Sequence, residues 1–186
     1  FLGLTSLPAN FDYLPFAGLL LALGCGQGMF AAPNTTAMMN SVPPETRGVS
    51  SGMVATFRNA ATLMSIGVFF SIVTVGLAAA LPSSLFNGLT TAGLPADLAT
   101  GISHLPPTAA LFAAFLGYNP LGTLLPSAAL AQLPAASQAS LLSTRFFPSL
   151  IASPFMVGLH AVFYLSAGMC LVGAAASLLR GKVYIH

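Results

Sequence analysis

The amino-acid sequence predicts an all-α membrane protein with three transmembrane helices and a long Pro-rich outer loop. Three observations carry this. Only 4% of the 186 residues are charged, five Lys or Arg and three Asp or Glu, against roughly 25% in a soluble domain. Hydrophobic residues make up 56%, and the mean hydropathy is +0.88. The apolar residues gather into three runs, each long enough as a helix to cross a hydrocarbon layer of about 30 Å. So few charges cannot cover a soluble domain with polar surface. Disorder is excluded from the other side, because disordered chains are rich in charge and poor in apolar residues. A net charge of +2, with no basic run, excludes a nucleic-acid partner and leaves the lipid bilayer.

The first run is free of charge from Tyr13 to Pro44 and spans about 14–39. Its lower end, Pro33-Asn34-Thr35-Thr36, is more polar. Pro43 and Pro44 end it, since proline offers no backbone donor and its ring clashes in a helix interior. Glu45 and Arg47 then place the link Asn40–Gly48 in water. The second span, about 49–81, carries one charge, Arg58, and is expected to stop at Pro82.

The outer loop, about 82–154, holds nine of the fourteen prolines and two formal charges, Asp97 and Arg145. Breakers this frequent predict short helices only. Ala96–Leu105 is one, with Leu98, Ile102 and Leu105 at helical spacing. Leu111-Phe-Ala-Ala-Phe-Leu116 is as apolar as a span, but Tyr118-Asn119-Pro120 interrupts it, so it is read as an interfacial or re-entrant segment. The third span, about 155–179, ends before Arg180, Lys182 and His186.

Lys and Arg favour the cytoplasmic side of short loops. With three crossings, Arg47, Arg180 and Lys182 share one side, and Arg58 can snorkel toward it. That side and the C-terminus are assigned to the cytoplasm, with the Pro-rich loop outside. A fourth crossing at 108–125 would scatter the basic residues. The chain opens on Phe1 without a basic stretch ahead of an apolar one, so no signal peptide is read, and further sequence is expected upstream.

Gly24-Cys-Gly-Gln-Gly28 follows no strand and sits inside a lipid-length run, so it is not a phosphate loop. Gly24 and Gly28, four apart, form a groove where another helix can pack, with Gly18 roughly on the same side. Gln27 near the bilayer centre needs either a hydrogen-bonding neighbour or a wet cavity. Asn34 has the same two readings nearer the inner surface. Arg58 is either a headgroup anchor or a functional charge facing protein, with only Glu45 nearby as a partner. Cys25 and Cys170 read as small buried apolar residues. His104, His160 and His186 lie too far apart in sequence for a metal site, and no cofactor is expected. Nothing resembles a nucleophile–base pair, so no catalytic residue is assigned and an enzyme is not expected. No Asp or Glu lies within any span.

Four segments together carry a resemblance: Gly24-Cys-Gly-Gln-Gly-Met-Phe-Ala-Ala-Pro-Asn34, Met38-Met-Asn-Ser-Val-Pro43, Arg47-Gly-Val-Ser-Ser-Gly52 and Thr56-Phe-Arg-Asn59. In order and spacing they resemble the fourteen-span drug/proton antiporter branch of the major facilitator superfamily. The stretches Leu111–Pro120 and Ser177–Gly181 are also similar to members of that branch. The resemblance covers essentially the whole chain. It implies a major facilitator-type bundle, of which these would be the last three helices, and proton-coupled multidrug efflux by alternating access from the cell membrane. The partners it implies are the missing transporter helices and a small-molecule substrate. The first helix would line the central cavity, which makes Gln27 and Asn34 substrate-path candidates. Arg47 and Gly48 match the inner-loop pattern and would help set the conformational state, with Arg58 beside them. The alternative is a standalone three-helix structural or assembly protein, or a nonfunctional remnant.

Overall fold

The computed structural model describes residues 1–179; Arg180, Lys182 and His186 lie outside the described residues. Every regular element among them is helical: α1 (Leu2–Thr5), α2 (Tyr13–Asn40), a 3₁₀ turn (Pro44–Thr46), α3 (Arg47–Thr91), α4 (Ala96–Ser103), α5 (Pro107–Phe115), α6 (Leu121–Leu124), α7 (Ser127–Ala131), α8 (Ala135–Leu142) and α9 (Phe146–Leu178). Helix α2, α3 with its preceding turn, and α9 are each long and apolar enough to cross a membrane. The chain divides into two compact units, residues 1–69 with the end of the chain from 163, and residues 70–162.

In the first unit α2 runs without a break through Pro33. The hydroxyls of Thr35 and Thr36 donate back to the carbonyls of Ala31 and Ala32, at 2.9 and 3.1 Å. At the end of α2 the Ser41 hydroxyl and backbone N–H both donate to the Met38 carbonyl, so the helix stops ahead of Pro43 and Pro44 as expected, and Pro44 opens the 3₁₀ turn. No residue of α2 is buried, and large apolar side chains such as Leu14, Leu21, Met29, Phe57 and Leu63 stand exposed. Short α1 lies on α2 at Gly3, where an added Cβ would sit 2.6 Å from Leu19 Cδ2.

The second unit corrects two expectations about proline. Helix α3 does not stop at Pro82 but continues to Thr91, giving 45 residues, about 68 Å at 1.5 Å per residue. An interior proline costs roughly 3 kcal/mol. Beyond it, Leu85 and Leu89 extend the fully buried row begun by Leu77 and Leu81. Each buried leucine contributes roughly 1.5–3 kcal/mol, enough to offset the break. The helix ends instead at Gly93 (φ +98), where Leu94 N–H donates to the Leu89 carbonyl and Gly93 N–H to that of Thr90. This paired closure needs a left-handed residue, and glycine adopts it without strain.

Helix α9 likewise begins at Phe146 rather than Phe155 and carries Pro154 in its interior. Pro154 has no N–H, so the Leu150 carbonyl loses its donor four residues on. The Ser84 hydroxyl of α3 supplies one at 2.6 Å, and Pro154 itself is fully buried. The apparent breaker is therefore built into the contact between α3 and α9.

Between these helices the prolines act as starts. Pro95, Pro106, Pro120, Pro126 and Pro134 each sit directly ahead of a short helix, α4 to α8 in turn. A proline there sacrifices no intrahelical donor, and its carbonyl still accepts the first bond. Ala99, Ala110, Leu124, Leu130 and Gln138 N–H groups donate to those five carbonyls at 3.0–3.2 Å. The helix expected at 96–105 is present as α4, with Ala99 and Ile102 buried and Leu98 and Leu105 against the core. That core joins Leu77, Leu81, Leu85 and Leu89 to Leu121, Leu141, Phe147 and Ile151. Asn119 pins it: the side-chain amide donates to the Leu141 and Ser143 carbonyls at 2.7 and 2.8 Å and accepts from Leu121 N–H at 3.1 Å. Gln138 donates to the Leu130 carbonyl, closing the end of α7.

Candidate functional site

The residues singled out by sequence lie on α2 and at the start of α3. Gln27 is exposed at the middle of α2, and Asn34 is half-buried one residue after Pro33. A Cβ built on Gly24 or Gly28 meets nothing within 4 Å. The groove that these glycines form is thus open within the described chain.

Glu45 is exposed in the 3₁₀ turn, Arg47 is the first residue of α3, and Gly48 follows with open space about its Cα. Arg58 is exposed three helical turns further on. No ion pair joins Arg47 or Arg58 to a carboxylate among the described residues, so the chain's own acids do not neutralise either. The Arg58 carbonyl accepts the Thr62 hydroxyl at 2.9 Å. Cys25 and Cys170 are free and exposed, not buried as the sequence suggested. The apolar helices that carry them are uncovered where they sit. Among the described residues no group of three or more His, Cys, Asp or Glu could hold a metal ion.

Two features escaped the sequence reading. The first is a backbone contact between α3 and α9. A Cβ on Gly76 would lie 2.5 Å from Gly158 Cα, and one on Gly158 would lie 2.6 Å from the Val73 carbonyl oxygen. Real Cβ atoms do not come so close to backbone, so both positions require glycine, as in close membrane helix crossings. Each glycine is ordinary in its own apolar run; only the antiparallel register, with Ser84 meeting Leu150 two turns away, pairs them. The second is His160 in α9, whose Nε2 is buried without a hydrogen-bond partner among the described residues. Helix α3, which packs on α9 here, carries no ionisable side chain from Asn59 to Thr91.

Three helices able to cross a membrane, with a charge-poor helical segment between the last two, define a membrane-associated helical protein. Comparison with protein-family models, with curated proteins and with solved structures finds no match.

Proposed function

We propose that the chain is the C-terminal part of a secondary active transporter that exports drugs or other small molecules by alternating access, coupled to protons. The observation that carries this reading is α2: 28 residues without one buried, yet bearing glycines, a mid-helix Gln27 and Asn34. Such a helix needs lipid on one side and protein or a wet cavity on another, and carriers build their central sites from helices of this kind. The order of the Gly24–Asn34, Met38–Pro43, Arg47–Gly52 and Thr56–Asn59 segments adds the resemblance to fourteen-span drug/proton antiporters. On this reading the Arg47 link and the C-terminus are cytoplasmic, the 92–145 segment is outside, and proton-coupling acids lie on helices beyond this chain.

Efflux by the complete protein tests the reading. Gln27→Ala is expected to weaken export of some substrates more than others, because it alters a cavity wall. Arg47→Ala is expected to abolish export while the protein still inserts. Wild-type resistance from both variants at normal expression, or the absence of further spans upstream of Phe1 in frame, would favour a standalone structural protein instead.

A further inference from the structure

We infer that α5 and the turn after it form a lipid-binding surface, lying in the boundary between headgroups and acyl chains of the bilayer that the long helices cross. Helix α5 turns Ala110, with half-buried Leu111, Ala113 and Ala114, toward the core and leaves both of its phenylalanines exposed. Ala110 is 2% exposed, whereas Phe112, Phe115, Leu116 and Tyr118 are 57%, 85%, 75% and 50% exposed. A helix folded against water would place the phenylalanines inward and the alanines out. The inversion marks an outer solvent that is itself apolar.

Three further observations choose lipid as that solvent. From Leu98 to Thr144 the chain has no formal charge, so this surface is neither steered to an oppositely charged protein nor made soluble by charge. The same unit of the fold contains Val75 on α3 and Val157 on α9, both exposed within candidate spans, so lipid already bounds this unit. Helix α5 is nine residues long, too short to span, which leaves the interfacial position. Tyr118 completes the surface: its ring is half exposed and its hydroxyl meets the Thr123 hydroxyl at 3.4 Å, an apolar body with a polar tip as found at membrane interfaces. This inference goes beyond the transport reading and does not need it, since a structural membrane protein would use the same anchor.

The chain contains no tryptophan, so one introduced indole reports alone. The full chain carrying Phe115→Trp, and separately Phe112→Trp, is reconstituted in phosphatidylcholine vesicles with and without acyl-chain bromine. Both side chains are exposed, so neither substitution disturbs packing, and an unchanged circular dichroism spectrum verifies this. The expected result is emission blue-shifted from aqueous N-acetyltryptophanamide, most of its intensity lost to brominated lipid, and little loss to iodide. Quenching by iodide comparable to that of N-acetyltryptophanamide would overturn the inference by placing α5 in water. Shielding from both quenchers would overturn it equally, by placing a protein surface there.

Discussion

Gly158→Val is expected to leave no folded protein in the membrane, and Gly158→Ala to lower the thermal unfolding midpoint by several degrees. The Cβ of even alanine would press on the Val73 backbone at 2.6 Å, and backbone cannot rotate aside as a side chain would. Overpacking of this kind costs typically 1–3 kcal/mol, roughly a 2–4 °C shift per kcal/mol in a chain of this size. Valine adds two methyls to the same clash. The expected loss extends to the Ser84–Leu150 hydrogen bond two turns away, because α3 and α9 must separate to admit any Cβ. Gly24→Ala is the control: nothing lies within 4 Å of its Cβ, and alanine favours helix by about 1 kcal/mol. Equal midpoints for Gly158→Ala and the parent would show that the two helices do not cross at this point.

Asn119→Asp is expected to loosen the Pro-rich segment more than Asn119→Ala. Alanine removes three hydrogen bonds, worth about 3 kcal/mol in all. Aspartate keeps the acceptor for Leu121 N–H but turns a carboxylate oxygen toward the Leu141 and Ser143 carbonyls, which have no proton to give. Hydrogen exchange measures it locally: amides of α6 and of the last turn of α8 should exchange faster in both variants, and fastest in Asn119→Asp. Unchanged exchange in both would remove Asn119 as the pin.

The spans were legible because lipid-length apolar runs need no knowledge of neighbours, and charge scarcity alone excludes a water-facing alternative. What was misread follows from neighbours. Pro82 and Pro154 look like helix ends in sequence because the missing donor is local, whereas the buried leucines and the Ser84 hydroxyl that offset it come from packing and from the facing helix. The prolines at 95, 106, 120, 126 and 134 read as breakers by frequency but work as starts, since each stands directly before its helix. Gly76 and Gly158 were silent because their partners are set by register between segments about 80 residues apart. The cysteines were expected in a core, but the helices that carry them have no cover there.

The candidate site shows the same division. Gln27, Asn34, Arg47 and Arg58 were visible as polar groups where apolar ones prevail, and the fold places them on α2 and the first turns of α3.

The most direct measurement is the reactivity of Gln27→Cys in the complete protein, with Cys25 and Cys170 replaced by alanine, toward a membrane-impermeant thiol reagent. A carrier opens this position to water in one state and closes it in another. The expected result is labelling whose rate changes when substrate or a proton gradient is imposed, with Leu21→Cys on the same helix unreactive throughout. No labelling at position 27, or a rate indifferent to substrate and gradient, would contradict a place in a transport path.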